Sequence, residues 1–157
     1  MTKPGLTVGL ISDTHGLLRP QALEALRGSD FIVHAGDIGD SSIVDTLSLI
    51  APTTAVCGNN DHGPWASRIR EIDVLDAGGA RICVIHDLAG LDVDPAAAGY
   101  RAVVSGHSHR SAIEWREGVL FINPGSAGPR RFRLPVSVAT LTISGDVIVP
   151  RIIALDV

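Results

Sequence analysis

Short apolar runs recur along this chain, and each gives way abruptly to polar residues or glycine. Leu6-Thr7-Val8-Gly9-Leu10-Ile11 meets Ser12-Asp13, Phe31 to His34 leads to Asp37, and Thr54 to Cys57 opens into Gly58-Asn59-Asn60-Asp61. Runs of this length bounded by turn residues predict strands. Between the first two, Pro20 suits the first position of a helix that carries Leu23 and Leu26 on one face and stops at Gly28. Between the second and third, Ile43, Leu47 and Ile50 recur at helical spacing from about Ser42 until Pro52. Alternation of strand and helix predicts parallel strands joined by crossover helices.

The second half is richer in strands. They are predicted at about Ile72 to Leu75, Arg81 to His86, Ala102 to Val104, Val119 to Asn123, Val136 to Ile143 and Val147 to Ala154, with Ser144-Gly145-Asp146 as a hairpin turn between the last two. The sequence contains neither an internal repeat nor a linker. Its 157 residues fit one domain, 1–157, with a substantial core.

Composition narrows the classes. With 45% hydrophobic and 19% charged residues the chain reads as globular rather than disordered. A net charge of −4, with Arg130-Arg131-Phe132-Arg133 as its one dense basic run, supplies no face for duplex nucleic acid, so no stable nucleic-acid partner is expected. The apolar runs are too short to span a membrane and none has the flanks of an export signal, so a cytoplasmic location is expected. Cys57 and Cys83 each lie in an apolar stretch and read as free buried thiols.

What changes the picture is the chemistry at the strand ends. Asp13 and His15 follow the first strand, Asp37 the second, Asn59 the third, His86 its own strand, and His107 and His109 theirs. In sheets of this kind ligand sites form beyond the carboxyl ends of the strands, so residues scattered in sequence can converge. Asp13 and His15, like His107 and His109, are spaced i, i+2, which in an extended segment points both side chains to one side. Gly16 and Gly106 flank these pairs and let the backbone turn sharply.

Asp37 has two oxygens and can bridge two cations, while Asn59 offers a neutral carbonyl oxygen. A mixed nitrogen and oxygen set suits Mn, Fe, Zn, Ni or Co rather than calcium or a thiolate-seeking metal. Two such ions roughly 3.5 to 4 Å apart activate water and neutralise a phosphate ester during in-line displacement, so the nucleophile expected is a metal-bound hydroxide. The sequence has no nucleophile elbow and no P-loop. Metal-dependent hydrolysis is the chemistry that fits.

Together, Asp13-x-His15, Gly36-Asp37-x-x-Asp40, Gly58-Asn59-x-Asp61, His86 and Gly106-His107-x-His109 resemble the ordered signature of the calcineurin-like metallophosphoesterases. The likeness is to the small single-domain phosphodiesterases of bacteria and archaea, which Asn123-Pro124-Gly125-Ser126 also resembles. It implies an α/β fold, a four-layer α-β-β-α sandwich of two facing mixed β-sheets flanked by helices. It further implies two divalent metal ions per chain: Asp13, His15, Asp37 and His109 hold one, and Asp37, Asn59, His86 and His107 the other. Manganese is the metal expected, with Ni, Fe, Zn, Co or Mg as alternatives. Relatives of this kind often form homo-oligomers.

Two positions depart from the family pattern. Larger members carry a histidine directly after the asparagine of the third motif, where it is thought to protonate the leaving group; here that position is Asn60, and His62 follows two positions later. Protonation of the leaving group is therefore expected from His62, from solvent or from nothing specific, the last favouring esters with good leaving groups; Asp37, Asn59 and His107 are the other residues expected to act on substrate. The family also often has glycine after its isolated histidine, where this chain has Asp87.

Other residues have quieter expectations. His34, inside a strand, reads as a neighbour that hydrogen-bonds near Asp37. Asp40 reads as a helix cap and Asp61 as an anchor of the Asn59 loop. Asn123 to Ser126 reads equally as a plain turn or as a loop holding the histidines. Arg130, Arg131 and Arg133 could meet a phosphate from the rim or simply be solvated. The function expected is hydrolysis of small phosphodiesters. Phosphomonoesterase or pyrophosphatase activity at the same centre is the alternative, followed by a non-catalytic scaffold of the same fold.

Overall fold

In the computed structural model, which describes residues 5–157, Leu6–Ile11 forms strand β1 at the middle of the first sheet. Its place explains its composition, because a central strand is covered on both faces. Leu10 points into the space between the two sheets, while Ile11 packs under the helices.

Strand β2 (Phe31–His34) lies parallel to β1, and β3 (Thr53–Ala55) parallel to β2. The crossovers are helices α1 (Pro20–Leu26) and α2 (Ser41–Ser48). Pro20 opens α1, and the Asp40 carboxylate caps α2 by accepting the Ser42 N–H at 2.9 Å. Ala22, Leu26, Ile43 and Leu47 bury the apolar stripes of both helices against Ile11, Ile32 and Val138. Strand β3 ends two residues earlier than expected, since the Cys57 N–H turns away to the Arg70 carbonyl.

The second sheet runs β4 (Ile72–Ala77), β5 (Ala80–Ile85), β6 (Ala102–Val104), β8 (Val119–Asn123) and β7 (Ala112–Arg116). Strands β5, β6 and β8 are parallel; β4 and β7 are antiparallel edges. Strands β9 (Ser137–Ser144) and β10 (Val147–Ala154) return to the first sheet, giving it the order β10-β9-β1-β2-β3. Both sheets are thus mixed and face each other across Val8, Leu10, Val33, Ile82, Val104 and Leu120, among others. Leu91, Tyr100 and Phe121 close the outer face of the second sheet over Cys83, Ile85 and Val103. The result is an α/β sandwich of two facing mixed sheets, as the resemblance implies.

Strand β7 has no counterpart in the sequence reading. All five of its residues are exposed, so Ala-Ile-Glu-Trp-Arg carries no buried face to betray its alternation. It is joined to β8 by Glu117-Gly118, both at positive φ (50° and 79°). That tight hairpin geometry is usually announced by Asn-Gly or Asp-Gly, and glutamate hides it.

Candidate metal centre

Every predicted donor stands just past the carboxyl end of a strand, at the shared rim of the two sheets. Asp13 and His15 leave β1, Asp37 leaves β2 and Asn59 leaves β3; His86 directly follows β5, and His107 and His109 follow β6. Backbone bonds continue the pairing past the strands. The N–H groups of Asp13, His15 and Gly16 donate to the carbonyls of Gly36, Asp37 and Ile38. In the second sheet, the Gly106 N–H donates to the His86 carbonyl at 2.9 Å, extending the β5–β6 pairing.

Two overlapping groups result, one of Asp13, His15 and His109, the other of Asp13, Asp37 and His86. Asp13 Oδ1 lies 3.4 Å from His109 Nε2, 3.8 Å from His15 Nε2 and 4.0 Å from His86 Nε2. Asp37 Oδ2 lies 3.3 Å from His86 Nε2 and 3.6 Å from His15 Nε2, between the two groups. Asn59 Oδ1 is 3.1 Å from His86 Nε2 and 3.3 Å from His107 Nδ1. The seven predicted donors therefore converge. His62 does not join them; it is exposed and lines a cavity beside Asn59 and His86.

The backbone achieves this differently from the extended geometry expected of the i, i+2 pairs. Asp13 (φ 55°), His15 (47°), Asp37 (56°), His107 (75°) and His109 (63°) all adopt left-handed conformations. For residues other than glycine each costs of order 1–3 kcal/mol and persists only where the surroundings enforce it. Gly106 is needed for closeness instead: a Cβ there would strike the Ser12 hydroxyl and come within 2.6 Å of Asp13 Oδ2.

The donors are held by neighbours that the sequence only partly suggested. Asp13 Oδ2 accepts from the Ser12 hydroxyl at 2.6 Å and from the His107 N–H at 3.1 Å. Asn60 donates twice to Asp37, from its backbone N–H to Oδ1 (2.9 Å) and from its side-chain amide to Oδ2 (3.1 Å). Asp61 accepts from the N–H groups of Ile38, Gly39 and Gly58, fastening the Asp37 loop to the Asn59 loop. The His86 Nδ1–H donates to the Ala35 carbonyl at 2.8 Å, which leaves Nε2 to face the donors.

Asn123 resolves the two readings of its loop. Its amide donates to the Gly106 carbonyl at 3.0 Å and to Ser108 Oγ at 3.2 Å, while the Ser126 hydroxyl donates to the Asp13 carbonyl at 3.0 Å. The loop holds the aspartate and histidine motifs in place. His34 is buried, accepts from the Gly36 N–H at 3.1 Å and donates to Thr14 Oγ1 at 3.0 Å; Thr14 in turn donates to the Ile38 carbonyl at 2.8 Å. Of these supports, Thr14 and Ser12 gave no sequence signal beyond adjacency to a donor, and Asn60 stood out only as a departure from the family pattern.

Charge in the site is organised around Asp37. Burial works against its ionisation, yet hydrogen bonds from the His86 ring and from Asn60 outweigh it and hold the carboxyl well below the usual range. Burial likewise opposes the charged His86, but its bonds to Asp37 and to the Ala35 carbonyl win and raise its pKa. His109 is shifted the other way, its pKa lowered chiefly by burial. Asp13 Oδ1 and His109 Nδ1 are buried yet have no hydrogen-bond partner among the described residues. A buried carboxylate oxygen left unmatched while imidazole nitrogens converge on it fits a divalent cation.

Residues 6–146 match the calcineurin-like phosphoesterase superfamily domain, and the chain belongs to that superfamily of phosphate ester hydrolases. A probable metallophosphoesterase of Methanothermobacter thermautotrophicus is 32% identical over 155 residues, covering 90% of this chain and 88% of the relative. In fold the chain resembles vacuolar protein sorting 29 of Cryptosporidium parvum (TM-score 0.83, 22% identity, 98% of this chain and 93% of that one). It also resembles a structure described as a novel archaeal phosphodiesterase (TM-score 0.77, 21% identity, 94% of this chain and all of the other, 100%). Among the described residues no helix is long and apolar enough to cross a membrane.

Proposed function

We propose that this protein is a metal-dependent phosphodiesterase that hydrolyses small phosphodiesters at a dinuclear centre. The observation that carries the reading is Asp13 Oδ1, a buried, unpartnered carboxylate oxygen with three imidazole Nε2 atoms 3.4 to 4.0 Å away. Asp13, His15 and His109 would hold one ion and Asn59, His86 and His107 the other, with Asp37 between them. Bound divalent ions, of which manganese suits the donor set, would supply the Lewis acidity that activates water and neutralises the phosphate.

The chain's own residues do the rest. Asp13, through its bond to the His107 N–H, keeps the two histidine-bearing loops in register. Asn60 is committed to Asp37 and so does not offer its side chain to the leaving group. His62, at the cavity wall, is a side chain from which a proton could reach the departing alcohol, with solvent as the other source.

A diester is favoured over a monoester because two cavities adjoin the donors Asn59, His86 and His107. One of about 810 Å³ is lined by Asn59 and His86, and one of about 380 Å³ by His107. Both lie in the size range of small-molecule sites.

Purified protein freed of metal and then supplied with Mn is expected to hydrolyse bis(p-nitrophenyl) phosphate faster than p-nitrophenyl phosphate. The reverse preference would favour a monoesterase. No turnover with any of Mn, Ni, Fe, Zn, Co or Mg, together with no bound metal by elemental analysis, would favour a scaffold.

A further inference from the structure

The strand that the sequence concealed builds one wall of the smaller cavity. In β7, Ala112, Glu114 and Arg116 pair with Asn123, Phe121 and Val119, so they share the outer face of the second sheet with the Phe121 ring. Leu88 and His107 also line this cavity. The Arg116 guanidinium lies over the Phe121 ring, 4.8 Å from its centroid, and Glu114 accepts its hydrogen bond at 2.8 Å. With its charge already matched, this arginine contributes a flat face more than an anion hook.

The larger cavity has another character. Glu71, Asp87 and Asp92 line it, and among the described residues none of its lining is lysine or arginine. The two cavities meet at Asp87, whose Oδ2 is 3.8 Å from His107 Nε2. A diester phosphate at the donors therefore has one substituent facing an open, acidic space and the other facing a small space with flat, largely apolar walls.

We propose that the smaller cavity is a second subsite of the centre, binding the planar aromatic ring of an alcohol, such as the base of a nucleoside, whose hydroxyl is esterified to the phosphate. This rests on the phosphodiesterase reading. The ring packs against Phe121, Arg116 and Leu88, and β7 fixes the width of the slot.

Two substrates with one leaving group test it: the p-nitrophenyl ester of thymidine 5′-phosphate, and methyl p-nitrophenyl phosphate. In both, water adds to phosphorus and the bond to nitrophenolate breaks, so only the remaining substituent differs. The Mn-supplied protein is expected to prefer the thymidine ester by about tenfold or more in kcat/KM, as one stacked ring would give. Ala112→Trp, which fills the slot from an exposed edge-strand position that tolerates tryptophan, should bring the ratio of the two substrates toward one. Ser67→Trp, which places the same bulk in the larger cavity, should leave a preference for thymidine. A ratio near one in the unaltered protein, with both esters turned over, overturns the subsite and spares the phosphodiesterase reading; so does a preference that survives Ala112→Trp. Failure to hydrolyse either ester sinks both.

Discussion

The backbone N–H of His107 donates to Asp13 Oδ2 at 3.1 Å, joining motifs 94 positions apart in the chain. One carboxylate thus has two duties. Oδ2 locks the β1 loop to the β6 loop, while Oδ1 faces the imidazoles without a hydrogen-bond partner among the described residues.

Asp13→Ala should therefore remove a metal donor and loosen His107 together, lowering turnover by at least about 100-fold. Gly106→Ala should imitate part of this from outside the donor set, because its methyl group would press on Ser12 and Asp13. Overpacking of that kind costs about 1–3 kcal/mol. Melting curves with elemental analysis check both; a Gly106→Ala protein with normal metal content and activity would contradict the close approach.

His109→Ala and His107→Ala should not behave alike. His109 Nε2 lies 3.3 Å from His15 Nε2, whereas the close neighbour of His107 Nδ1 is Asn59 Oδ1, also at 3.3 Å. Each substitution is expected to deplete a different ion, leaving about one metal per chain. Electron paramagnetic resonance of Mn-loaded variants reads this directly, since either loss abolishes spin coupling but the surviving ion has a different ligand environment.

Asn60→Ala removes the amide bond to Asp37 Oδ2 and keeps the backbone bond to Oδ1. A neighbour that orients a ligating carboxylate is worth about 10–100-fold in metal affinity or activity. Calorimetric titration with Mn should show that loss while the melting temperature of the metal-free protein moves little.

Burial lowers the pKa of His34 from its ordinary 6.5 to about 4. The geometry agrees, because Nδ1 accepts from Gly36 and cannot carry a proton without losing that bond. As pH falls below 6.5 the unfolded chain takes up a proton that the folded one refuses. Stability should thus fall between pH 6.5 and about 4, by up to about 1.4 kcal/mol per pH unit from this group, and should be unaffected by it above that window. Urea titrations of metal-free protein, compared with His34→Gln, should show a shallower pH dependence in the variant.

The positions of the donors were legible because apolar runs mark strands and polar residues at their carboxyl ends mark a site. Asp40 and Asp61 were legible for the same local reason, as a cap and a loop anchor. Backbone geometry was not: the spacing of Asp13 with His15 suggested an extended pair, whereas tertiary bonds from Gly36, Asp37 and Ile38 impose left-handed turns. Strand β7 escaped because nothing in it is buried, and with it went any view of the smaller cavity. Asn60 looked like a defect in a motif; only its contacts reveal a partner for Asp37.

The left-handed donors imply an opposition between durability and use. At His15, His107 and His109 glycine would relax the chain, so each of these sites holds a substitution that could toughen the metal-free fold while disarming it; at Asp13 and Asp37 it would also remove the carboxylates that accept from Ser12, His107 and Asn60. A selection for heat resistance alone, run on this sequence without substrate or metal, should drift toward glycine at these three histidine positions and yield robust, inert sandwiches.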